Sequence, residues 1–116
     1  MILTKRVYEE ASKKDGFRVL VDRLWPRGLT KEKAKVDLWM KQIAPSDALR
    51  KAFHAEKADW AEFEKKYRGE LKEKKELLDE IRKLEKKHGN VTLVYGRNDE
   101  KHNQAVVLLG LLKGAK

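Results

Sequence analysis

Phe17-Arg18-Val19-Leu20-Val21-Asp22-Arg23-Leu24-Trp25-Pro26-Arg27-Gly28 is an apolar, β-rich run that stops in an aspartate, two arginines, a tryptophan and a rigid Pro-x-Gly turn. Its first five residues show little alternation, as expected for a strand covered on both faces. A second stretch has the same construction. Val91-Thr92-Leu93-Val94-Tyr95 runs into Gly96-Arg97-Asn98-Asp99-Glu100-Lys101-His102-Asn103. A long helical segment separates the two runs, so they cannot form a hairpin, and the simplest join is a right-handed crossover that lays them parallel in one sheet. Ligands of parallel α/β sheets bind beyond the carboxyl ends of the strands. Residues 22–28 and 95–103 are both such ends, and they are predicted to meet.

Around these two strands the chain reads as follows. Residues 2–8 alternate Ile2, Thr4, Arg6, Tyr8 against Leu3, Lys5, Val7, the period of a half-buried strand. Asp15-Gly16 is a turn signal. Thr30 is placed to cap a short helix to about residue 35, and residues 36–43 are read as continuing helically around Trp39. Ala44-Pro45-Ser46 breaks that segment, and Ser46 caps a helix carrying Leu49, Ala52 and Phe53. Asp59 opens the next one. Trp60, Phe63, Tyr67, Leu71, Leu78, Ile81 and Leu84 recur on one helical face, with Gly69 as the expected kink or division. Charged residues fill the rest, pairing at i,i+4 as Glu62/Lys66, Glu64/Arg68, Glu70/Lys74 and Asp79/Lys83. His88-Gly89-Asn90 is the stop. Asn98 or Asp99 is expected to cap a last helix, apolar on most sides and therefore packed centrally on the sheet. The expectation is a small single α/β domain over residues 1–116, with a short, mainly parallel three-stranded sheet covered by about five helices.

Composition bounds the function. The 116 residues include no cysteine, which excludes disulfides, zinc-thiolate sites, Fe–S clusters and cysteine nucleophiles. The amino terminus reads directly into a strand rather than a signal peptide, and the longest apolar run is far too short for a membrane span, so a cytoplasmic location is expected. Lys and Arg number 28 against 19 Asp and Glu, a formal charge of +9. That excess favours anionic partners. It also fits a thermophile-like surface of interleaved Lys and Glu. No phosphate-binding glycine loop, dinucleotide fingerprint, HExxH or GxSxG motif is present, and neither a metal cluster nor a cofactor is expected.

The two strand ends carry the candidate site. Arg23, Arg27 and Arg97 offer planar forks for phosphate or carboxylate, and the amide groups opening the last helix add partial positive charge. Trp25 is either a stacking surface for a base or sugar ring or a packing anchor. Tyr95 and Asn103 are further ligand-binding candidates, Asn103 through its amide. Asp99 is either a ligand contact or a helix cap. Asp22 and His102 are the candidates for proton transfer, with the alternative that Asp22 pairs with Arg23 or Arg97. His54 and His88 read as structural.

Residues 18–28, with Trp39, Ala44-Pro45-Ser46, Leu49-Arg50-Lys51-Ala52-Phe53-His54 and His102-Asn103-x-Ala105, resemble the YeaO-like branch of domain-of-unknown-function family 488 over nearly the whole chain. Val-Asp-Arg-Leu-Trp-Pro-Arg-Gly is the specific part of the match. The resemblance implies a small single-domain α/β protein and carries no activity with it. Gly96 stands where the family has a small residue, Arg97 and Asp99 are kept, and His102 and Gln104 trade places with the order in some relatives. The expected function is binding, with catalysis left open, of a phosphate-bearing small molecule or nucleotide at the strand ends. The alternatives are an RNA- or DNA-binding module using the basic surface and Trp25, or a non-catalytic interaction protein. Oligomeric state is left open.

Overall fold

In the computed structural model, residues 1–55 and 59–114 are described. The strands are β1 (Ile2–Arg6), β2 (Phe17–Leu20), β3 (Leu38–Trp39) and β4 (Val91–Tyr95). The helices are α1 (Lys31–Ala34), α2 (Asp47–Ala55), α3 (Trp60–Leu71), α4 (Lys75–His88) and α5 (Gln104–Gly114). The sheet is parallel throughout, in the order β1-β4-β2-β3. The crossover argument for β2 and β4 therefore holds, since they are direct neighbours with Val19 opposite Leu93.

The sheet has four strands rather than the three expected. Residues 38–39 are a strand and not part of a helix: the Asp37 amide donates to Arg18 O at 2.8 Å and the Met40 amide to Leu20 O at 2.9 Å. Two residues are too few to show a period, and Trp39 is held by a contact remote in sequence, its indole N–H donating to Asp22 O at 2.7 Å.

The alternation of β2 and β4 sorts side chains onto two faces. Val19, Val21, Val91, Leu93 and Tyr95 join the main core with Phe63, Tyr67, Leu71, Ile81 and Leu108 from α3, α4 and α5. Leu20 and Val94 face a smaller cluster with Val7 and Ala34, bordered by Trp25, Leu29, Val36 and Trp39. β2 is covered on both sides, which explains its unbroken apolar character: Arg18 is 3 % exposed, and Val19 and Leu20 are fully buried.

The caps read from sequence at Thr30, Ser46 and Asp59 are present, accepting from the amides of Lys33, Leu49 and Ala61. Gly89 ends α4 at φ 87°. The division between α3 and α4 falls at residues 72–74 and not at Gly69, which is an exposed helical residue with open space around it. Tertiary partners place the break: Glu70 accepts from the amide and hydroxyl of Ser46, and the Lys74 ammonium donates to Ala44 O at 3.3 Å. Those contacts replace the expected Glu70/Lys74 pair. Glu62/Lys66 and Glu64/Arg68 form as expected, whereas Asp79 pairs with Arg82 at i,i+3. The last helix is capped by Asn103, not by Asn98 or Asp99: its side-chain oxygen accepts from the Val106 amide at 3.1 Å. α5 does pack on β1 and β4, with Ala105, Val107 and Leu108 buried. His88 is structural, stacked on Phe17 at 4.5 Å. The side chain of His54 and residues 115–116 lie outside what is described.

Candidate functional site

Because all four strands are parallel, their carboxyl ends lie along one edge of the sheet, and the loops from all four converge on a cleft of about 690 Å³. Tyr8 comes from beyond β1, and Asp22, Arg23, Leu24, Trp25 and Arg27 follow β2. Pro45 and Arg50 arrive from the β3–α2 connection and α2, and Gly96, Arg97 and Asn98 follow β4. The meeting of the two polar strand ends expected from sequence is therefore observed.

Asp22 sits at the centre of this convergence. Past Tyr95 the β4 backbone has no further strand partner there, and the Gly96 amide donates instead to Asp22 Oδ2 at 2.9 Å. Gln104, the first residue of α5, donates its side-chain amide to Asp22 Oδ1. Neither Arg23 nor Arg97 pairs with Asp22. The Arg23 guanidinium holds the carbonyls of Pro45 (2.9 Å) and Ala44 (3.2 Å), so it braces the β3–α2 connection against the β2 loop. Arg97 lies 4.2 Å over the Phe53 ring. Arg27 is exposed, and its guanidinium makes no hydrogen bond or ion pair within the described residues. Arg50 reaches Asp47 only at 3.5 Å, and its Nε is buried without a hydrogen-bond partner.

Trp25 lines the cleft and is also anchored: its indole N–H donates to Leu29 O at 2.7 Å and its ring meets Trp39 edge-on at 5.4 Å. Arg6 staples β1 to the β4 loop through Arg97 O at 3.0 Å and Asn98 Oδ1 at 2.9 Å. Tyr8 closes the near wall, donating to Arg27 O at 2.9 Å.

The remaining candidates lie elsewhere. His102 Nδ1 is 2.9 Å from Asp99 Oδ2, its ring packs 5.0 Å from Trp60, and it does not line the cleft with Asp22. Asp99 organises the turn before α5, accepting from the amides of Lys101 and His102. The hydrogen bond from the His102 ring, followed by that from the Lys101 amide, holds the Asp99 carboxyl below the usual range. It borders a shallower cavity beside the cleft, with Arg6 and Arg97. Asn103 is fully buried as the α5 cap, and Tyr95 is buried against the helices, where burial raises its phenol above the ordinary range. Sequence reasoning missed Tyr8, Arg50 and Gln104. Arg50 lies one turn beyond the Ser46 cap, which the sequence does place, so its position in the first turn of α2 is the signal for it. Gln104 opens α5, whose start the sequence reading sets too early, at Asn98 or Asp99.

Burial pushes the Asp22 carboxyl up to about 6, against the lowering effect of the hydrogen bonds from Gly96 and Gln104. With a folded value above the unfolded one of about 3.9, Asp22 contributes stability that is full below pH about 3.9 and lost as pH rises through about 6. Asp22→Asn should remove this decline. Unfolding free energies from urea titrations at pH 4.5 and 7.5 should fall by about 2 kcal/mol more in the wild type than in the variant. An equal fall in both would show that Asp22 is not the responsible group.

With this geometry in place, similarity to known proteins becomes informative. The model of a family described as "Inactive DUF488-N3 subclade" matches residues 1–115. The chain is 43% identical over 112 residues to "Uncharacterized protein YeaO" of Escherichia coli (strain K12), across 97% of this chain and 96% of that protein. It is 40% identical over 109 residues to "Uncharacterized protein Rv3073c" of Mycobacterium tuberculosis (strain ATCC 25618 / H37Rv), across 94% and 91% respectively. No solved structure matches.

Proposed function

This chain belongs to the inactive DUF488-N3 subclade and is YeaO-like, and we propose that its strand-end cleft binds a phosphate-bearing small molecule or nucleotide without turning it over. One observation carries this reading: Arg23, Arg27, Arg50 and Arg97 line the cleft with Asp22 as the only carboxylate among its described lining residues. Planar guanidinium groups at such a density suit an anion with several oxygens, which can take paired, charge-assisted hydrogen bonds. Two of the four, Arg27 and Arg50, have the donors least committed to the protein itself. Binding without turnover agrees with the family's description as inactive. It also agrees with the position of His102, which is held by Asp99 and Trp60 and does not line the cleft with Asp22.

The test is titration calorimetry with pyrophosphate and AMP on the wild type and on a variant carrying Arg27→Ala and Arg50→Ala. Neither side chain braces a loop carbonyl, so the fold should survive, and the melting transition provides the control. Removing two charge-assisted contacts should weaken binding about a hundredfold or more. Unchanged affinity would remove the cleft as the binding site. Repeating the titration over a range of salt addresses the competing reading, in which the +9 surface grips nucleic-acid backbone: that reading requires a steep loss of RNA affinity with salt and no discrete small-ligand site.

A further inference from the structure

Phosphate chemistry alone does not account for the cleft. Asp22 lines it, and an inorganic anion brings no N–H donor to that carboxylate. Each oxygen of Asp22 receives one hydrogen bond from the chain, Oδ2 from Gly96 and Oδ1 from Gln104, which leaves an acceptor site on each. No cation pairs with Asp22 among the described residues, despite the surrounding arginines. Beside it, the Gln104 amide oxygen accepts nothing from the chain within the described residues. The floor therefore presents acceptors and calls for donors.

The walls add an apolar requirement. Only three large hydrophobic side chains are left exposed among the described residues: Met1, Tyr8 at 43 % and Leu24 at 60 %. Tyr8 and Leu24 both line this cleft, whose volume of about 690 Å³ suits a ligand much larger than phosphate.

We propose, building on the binding reading above, that the ligand is a nucleotide whose base presents two adjacent N–H donors, the pattern of guanine. The ring N–H and the exocyclic amine meet the two oxygens of Asp22, the base lies against Leu24 and Tyr8, and the phosphate reaches Arg27 and Arg50. Among the common bases, guanine alone carries two neighbouring donors on one edge. The adenine amine is flanked by ring-nitrogen acceptors, the cytosine amine adjoins one, and the uracil N–H lies between two carbonyls. Burial, which already raises the Asp22 carboxyl, makes the ionised carboxylate a stronger acceptor for such a pair.

Titration calorimetry with GMP, IMP, AMP and pyrophosphate at pH 7.5 tests this. IMP keeps the ring N–H and lacks the amine. GMP should bind about tenfold tighter than IMP and about a hundredfold tighter than AMP, and Asp22→Asn should abolish the preference. Equal affinities for the three nucleotides, or a preference for AMP, would overturn the guanine assignment while leaving the anion cleft standing. No binding of any nucleotide or of pyrophosphate would overturn both. Because the wild-type comparison decides the matter alone, the conclusion does not depend on the variant folding.

Discussion

Asp15→Ala is expected to cost about 3–5 kcal/mol, a large part of the stability of a domain of this size. Asp15 and Arg18 are both nearly buried on the sheet face opposite the main core, with Arg18 Nη1 2.5 Å from Asp15 Oδ2 and the Lys5 ammonium 2.9 Å from Oδ1. The other donors of Arg18 hold Lys35 O and Ala34 O at the end of α1, so the guanidinium cannot swing out to water without releasing those carbonyls. Removing the carboxylate leaves a buried cation without its counter-charge, and that penalty exceeds the value of an ordinary surface pair. Urea titration at pH 7 measures it. A deficit under about 1 kcal/mol would show that the cluster is better solvated than its burial implies.

Acid should narrow this gap. Burial alone would raise the Asp15 carboxyl, but hydrogen bonds from Lys5, from the Ser12 amide and from Arg18 outweigh it and hold the group below the usual carboxylate range. A depressed folded value means that the contribution is present above pH about 3.9 and lost as pH falls through the folded value. Asp22 has the opposite sign, losing its contribution as pH rises toward about 6. The two carboxylates therefore act on opposite flanks of the stability profile, and the single variants separate them.

Gly16→Ala should be comparably damaging, about 3–5 kcal/mol, from backbone strain and overpacking together. Gly16 has φ 65° and ψ −134°, a conformation that side chains strongly disfavour. A Cβ there would overlap the Asn90 carbonyl oxygen and come within 2.8 Å of the Asn90 carbonyl carbon and Cβ. The same carbonyl accepts from the Phe17 amide at 2.9 Å, a bond that starts the β2–β4 register, so relief by moving one segment would pull the central strands apart. Gly28 separates the two effects. It has φ 83° and open space around it, so Gly28→Ala should incur only the conformational term of about 1–2 kcal/mol. Equal losses in the two variants, by thermal melts and urea titration, would show that packing against Asn90 contributes nothing.

The strands β1, β2 and β4 were legible because alternation and β-branched runs are local, and the caps at Thr30, Ser46 and Asp59 because an oxygen needs only its own next turn to accept from. The parallel placement of β2 and β4 in one sheet followed from chain connectivity alone, and so did the expectation that residues 22–28 and 95–103 would meet. Contacts remote in sequence decided the rest. β3 is a strand because two residues find an open edge beside β2, and the α3–α4 division sits where Glu70 and Lys74 reach the β3–α2 connection. Arg23 and Arg27 look equivalent in the motif, yet one is spent on the carbonyls of Ala44 and Pro45 while the other stays open to the cleft. Composition and spacing determined which residue types stand at the strand ends. Only the packed structure decided which of their donors and acceptors remain for a ligand, because that depends on backbone groups more than twenty residues away.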